Sequence, residues 1–198
     1  MKHLFTGLIA ASVIILSACN SNADKAKDHS EMQHDMENMK DMPMDSHSET
    51  PSSANAKFSE VFDHYQHLTF ALSNDDSKEA ANGAKAMGEA LAKVDKTGFT
   101  ADQQKTFADL EADIKEHTEH ITDNANNITH QREHLETLSK DVYDIVKTFG
   151  TTKTIYKIFC PMYNNNKGAY WLNDSKEVKN PYFGEKMLTC GEIQEEIK

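Results

Sequence analysis

The chain is 198 residues long, carries a formal net charge of −11 at neutral pH, and is 38% hydrophobic and 27% charged. An acidic chain does not neutralise phosphates, so nucleic acid is excluded as a partner, while the acidity raises the local concentration of cations. The length allows one domain with a core of its own beyond any leader.

Residues 1–18 join a short basic start to an apolar run from Leu8 to Leu16, and small residues precede Cys19. The run is too short to span a bilayer comfortably and it ends at a cysteine. That reads as a lipoprotein signal peptide rather than a membrane helix or an ordinary signal. Cys19 is then the lipid attachment site, and the expectation is an exported, membrane-anchored lipoprotein of the outer membrane, facing the periplasm or the surface.

Residues 19–54 are polar, charged and without a periodic apolar face, which predicts a disordered tether anchored at Cys19. Within it, HSEMQHDMENMKDMPMDSHSE holds Met32, Met36, Met39, Met42 and Met44 with His29, His34 and His47, and no leucine, isoleucine, valine or aromatic residue. A thioether is a neutral soft donor suited to Cu(I) or Ag(I), and imidazole adds a borderline donor. Methionine-rich docking surfaces normally mix methionine with other apolar side chains. The tract therefore reads as a soft-metal ligand set.

Residues 55–198 form the expected folded domain. A first helical stripe runs through Phe58, Val61, Phe62, Tyr65, Leu68 and Leu72 and ends at NDDS. A second opens at Asp76-x-x-Glu79 and carries Ala80, Ala84, Met87, Leu91 and Val94, its alanines implying close helix packing. A third opens at Thr100-x-x-Gln103 and carries Phe107, Leu110, Ile114, His117 and Ile121. The fourth runs from about Asn127 to Phe149 and stops at Gly150. Short connections predict a mainly α fold, an up-down antiparallel four-helix bundle over about residues 57–149.

Residues 150–198 change character. Thr154–Phe159 and Ala169–Leu172 have strand-like content with turn-rich NNNKG between them, which predicts a small β-hairpin in a wrap packed on the bundle. This segment holds the only tryptophan.

The domain's histidines come in helical pairs: His64 with His67, His117 with His120, and His130 with His134. Members three or four apart share a helix side and can chelate together. The first pair lies opposite its helix's apolar stripe and is expected to be solvated. His117 falls within its stripe and reads as a satisfied core histidine, whereas His120, His130 and His134 flank theirs, facing a groove between helices. The wrap adds Cys160 with Met162 and Met187 with Cys190, each a thiol beside a thioether. Such a set suits Cu(I) or Ag(I), yet two cysteines outside the cytosol equally fit a disulfide, and spacing leaves both open.

The segments HLTFALSNDDSKEAANGAKAMGEAL, EHTEHI, ITHQREHLETLS and FCPMYNNNKGAYWLNDSKEVKNPYFGEKMLTCGE together resemble the bacterial domain-of-unknown-function family 3347, over roughly residues 57–198. The resemblance implies heavy-metal handling, as lipoproteins or as domains joined to periplasmic adaptors of copper and silver efflux systems. Its motif falls here on His120, His130, His134, Cys160, Met162, Met187 and Cys190.

The functional expectation is a lipid-anchored Cu(I)/Ag(I)-binding protein that sequesters metal or passes it to an efflux system, with the membrane and an efflux adaptor as partners. The alternative is a disulfide-stapled docking module whose methionine-rich tail alone binds metal. An enzyme is not expected. A di-iron bundle needs Glu three residues before its histidines, and those positions hold Ile114, His117, Asn127 and Gln131. No C-x-x-C or C-x-x-C-H motif occurs.

Overall fold

The computed structural model describes residues 55–198. The signal sequence, Cys19, the tether and the methionine/histidine tract predicted for residues 1–54 lie outside the described residues.

After a 3₁₀ turn at Asn55–Phe58, four helices follow: α1 Ser59–Ser73, α2 Ser77–Leu91, α3 Ala101–Asp123 and α4 Ile128–Phe149. The starts of α2, α3 and α4 are written in local chemistry. The Asp76 carboxylate accepts the Glu79 amide at 3.0 Å to cap α2. Glu79 does not complete a capping box with it, because its side chain turns instead to His67 at 2.6 Å and Asn82 at 2.9 Å. At α3 the box is complete: Thr100 Oγ1 accepts the Gln103 amide and Gln103 Oε1 accepts the Thr100 amide. Asn127 caps α4, and Gly150, at φ 80°, ends it in a conformation that favours glycine.

Consecutive helices pack on one another, α1 with α2, α2 with α3 and α3 with α4. Leu68, Leu72, Met87, Ile114, Ile121, Leu135 and Leu138 are fully buried between them. Phe58, Phe99, Phe107 and Phe149 close one end, with the Phe58 and Phe149 ring centroids 4.6 Å apart. The alanine-rich α2 does approach closely: a Cβ placed on Gly83 would stand 2.8 Å from the Leu68 amide nitrogen of α1. Among the described residues, no helix is long and apolar enough to cross a membrane.

The C-terminal part is a three-stranded antiparallel sheet in the order β2–β1–β3, with β1 Ile155–Cys160, β2 Ala169–Asn173 and β3 Glu192–Ile197. The predicted hairpin is β1–β2, joined through a turn in which Asn164, Asn165 and Asn166 all take positive φ. The hairpin expectation omits β3. EIQEEI is rich in glutamate, which strands disfavour, and its register is supplied by β1, with Ile155 opposite Ile197.

A buried polar network fixes the sheet to the helices. The Leu172 amide of β2 donates to Tyr65 Oη of α1 at 3.1 Å, and that hydroxyl lies 2.8 Å from Ser139 Oγ of α4. Tyr182 donates to the Tyr170 carbonyl at 2.7 Å. Burial holds both phenols, Tyr65 and Tyr182, well above their ordinary pKa.

Candidate metal centre

The first turns of α4 present three faces, each with its own kind of contact. Gln131 is fully buried and donates to the Ser77 carbonyl at 2.8 Å and the Ile121 carbonyl at 3.1 Å, tying α4 to the start of α2 and the end of α3. Arg132 points to the other side and donates to the carbonyls of Leu72 at 2.8 Å and Pro181 at 2.7 Å, and to Asp75 Oδ1 at 2.6 Å. With its neighbours so anchored, α4 holds His130 and His134 on its remaining face, toward α3.

There they meet His117 and His120. His134 Nε2 lies 3.2 Å from His130 Nε2, and His134 Nδ1 lies 3.0 Å from His117 Nδ1. The His120 ring stacks on His134 with centroids 4.3 Å apart and planes 8° from parallel. One ligand atom from each of His120, His130 and His134 falls within 4.8 Å of the others, near enough for the three to share one metal ion. His130 and His134 are half-buried and His120 is exposed, so the group is open to solvent on one side.

Burial lowers the pKa of His117, with His120 adding to it against Glu116 and Asp113. Burial likewise lowers that of His134, helped by His120, His130 and His117. Both imidazoles are therefore inclined to the neutral form, whose lone pair a metal can take without displacing a proton. Imidazole suits zinc, copper and nickel, so the cluster alone does not select copper or silver among them.

The cysteines form a second locus. Cys160, at the end of β1, is fully buried, and its Sγ lies 2.9 Å from Sγ of half-buried Cys190, both thiols being free. Burial, then Cys160 itself, pushes the Cys190 thiol up to about 11. Met187 is near in the chain, its carbonyl accepting the Cys190 amide at 2.9 Å. Met162 is 48% exposed and lines an open groove with Thr129, Glu133, Glu136 and the Asn164–Asn166 turn. The predicted seven-residue domain set is thus distributed: three histidines converge, two thiols touch elsewhere, and Met162 stands on the surface. His29, His34, His47 and the five tail methionines lie outside the described residues.

His117 is the residue whose part the sequence pattern missed. It sits at the edge of its stripe, half-buried and bonded to His134, rather than within the core. Its spacing of three from His120 was the available signal. His64 and His67 are paired with acids instead, His67 Nε2 with Glu79 at 2.6 Å and His64 Nε2 with Glu60 at 3.9 Å.

A helical domain with a solvent-facing histidine cluster between two helices is the class the geometry defines. Residues 61–154, a span that includes all four clustered histidines, match the family model described as "Protein of unknown function (DUF3347)". The matched span ends before β1, so both cysteines lie beyond it. No curated protein and no solved structure matches the chain.

Proposed function

We propose that this protein is a lipid-anchored Cu(I)/Ag(I)-binding protein that sequesters metal or passes it to an efflux system. The observation that carries the metal reading is the convergence of His120, His130 and His134 within 4.8 Å. Three imidazoles leave a further coordination position for an exchanging ligand, as a protein that takes up and releases its cargo requires. The preference for copper or silver comes from the sequence, where Met32, Met36, Met39, Met42 and Met44 offer thioethers that zinc does not recruit. We read the four helices as an up-down antiparallel bundle, which places the cluster at the end where α3 turns into α4.

The test is an anaerobic Cu(I) titration against a competing chelator, using residues 20–198 and the same chain carrying His130→Ala and His134→Ala. One tight equivalent present in the first and missing in the second supports the centre. Identical titrations would remove it.

A second reading, a disulfide-stapled docking module with metal bound only by the methionine tract, is favoured by one observation: the Cys160 and Cys190 sulfurs are already in contact. It predicts that the double histidine variant binds as the parent does and that the exported protein holds no free thiol.

A further inference from the structure

We propose that His117 is a positioning residue of the centre: it accepts the Nδ1 proton of His134, fixing the tautomer in which His134 offers a bare Nε2 to the metal. The inference rests on the reading of the histidine cluster as a metal site and specifies how that site is held.

A neutral imidazole carries one proton, and a ligating nitrogen must carry none. Each of the two α4 histidines has its nitrogens in different company. His134 faces His117 with Nδ1 at 3.0 Å and His130 with Nε2 at 3.2 Å. His130 faces the Glu133 carboxylate with Nδ1 at 3.3 Å and His134 with Nε2. The two Nε2 atoms are therefore the pair that shares a ligand position. Nitrogens bound at about 2.0–2.1 Å to one tetrahedral ion stand about 3.4 Å apart, close to the separation found.

If both Nε2 atoms bind, both protons must sit on Nδ1. Glu133 takes one and His117 takes the other. His117 can do so only with its own Nδ1 bare and its proton on Nε2. With both Nδ1 protons held, two Nε2 lone pairs oppose each other, an arrangement that a cation between them relieves. His117 is not one of the three convergent ligands. Its contact with the centre runs through His134, which is the geometry of an outer-shell partner. The usual partner is a carboxylate. A neutral imidazole at this position orients His134 without adding negative charge there.

The experiment compares the full mature chain with His117→Gln, whose amide oxygen can still accept, and His117→Leu, which cannot. Site-resolved long-range ¹H–¹⁵N spectra of the histidine rings are recorded without metal and through a silver(I) titration, so that affinity is read at His134 itself. Silver is expected on Nε2 of His134 with its proton on Nδ1. Leucine should weaken binding at His134 about 10- to 100-fold, while glutamine should stay within about threefold of the parent. Equal affinity in the leucine variant, an equal loss in the glutamine variant, or silver on Nδ1 of His134 would each overturn the inference while leaving the metal centre standing. Absence of any silver-dependent change at His120, His130 and His134 in the parent would instead remove the metal reading itself. The metal-free spectrum tests the His117–His134 bond separately.

Discussion

The sulfur of Cys160 lies 2.9 Å from that of Cys190, joining the end of β1 to the segment that leads into β3. Mild oxidation should close this pair without moving the backbone far. The bond would enclose a loop spanning 30 positions of sequence separation. On the chain-entropy account such a loop stabilises by about 3–4 kcal/mol, or roughly 10 °C in Tm for a domain of this size. Thiol counting and melting of the oxidised and reduced protein test this; two titratable thiols surviving oxidation, or unchanged melting, would count against it. In the reduced protein Cys190, with its pKa near 11, should alkylate slowly at pH 8, where about one thiol in a thousand is ionised.

Asp141 of α4 is 8% exposed, and its Oδ2 has no hydrogen-bond partner. Burial, with the charges of Asp113 and Asp144, pushes its carboxyl up to about 7. A carboxylate whose folded pKa exceeds its unfolded one binds more protons when folded, so stability is complete below about pH 4 and falls as pH rises to about 7. At about 1.4 kcal/mol per unit, the loss has a ceiling of about 4 kcal/mol. Asp141→Asn should match the parent at pH 4 and exceed it at pH 8 in urea unfolding. If the parent and the variant fall together across that range, the pH dependence belongs to other groups.

Much of this architecture is legible in residue order because it is local. Thr100 and Gln103 cap α3, Asn127 caps α4, and Gly150 ends it, each within one turn of chain. The facing of His130 and His134 follows from a spacing of four. What is not legible depends on a partner distant in sequence. β3 forms because β1 offers it an edge, against the strand propensity of its glutamates. His117 is drawn from an apparent core position by His134 on the next helix. Cys160 and Met162 are two residues apart, yet one closes a buried strand while the other starts a surface turn. The three imidazoles meet one another, and the two thiols meet each other, through partners that spacing alone does not name.

Gly83 sets how closely α1 and α2 approach. A Cβ there would stand 2.8 Å from the nitrogen and 3.0 Å from the Cα of Leu68, backbone atoms that cannot rotate aside. Alanine gains about 1 kcal/mol of helix propensity over glycine, but forcing a methyl into a packed interface costs typically 1–3 kcal/mol. The contact is with backbone, so the steric cost should win. Gly83→Ala is expected to lose about 1 kcal/mol, read as a lower urea midpoint at unchanged m-value; a stabilised variant would show that α1 moves away freely.

Arg132 joins three parts of the chain to the helix that carries the centre. Its guanidinium serves the Leu72 carbonyl at the end of α1, Asp75 in the α1–α2 turn and the Pro181 carbonyl in the wrap. Burial works against the charge of Asp75, yet the Arg132 guanidinium and the Glu185 amide outweigh it and hold that carboxyl below its ordinary pKa. Asp75 thus contributes stability that is present above the ordinary carboxylate range and lost as pH falls through the folded pKa. Removing the guanidinium strands two carbonyls and a carboxylate together, a loss of about 3 kcal/mol for Arg132→Met. Arg132→Lys should recover little of it, because an ammonium cannot reproduce the forked geometry that reaches three acceptors in different directions. Arg132 sits between His130 and His134 in sequence, so both variants should also weaken silver binding at those rings. Urea unfolding and the histidine spectra test the two effects separately. Full stability in Arg132→Lys would show that charge alone, rather than the fork, holds α4 in place.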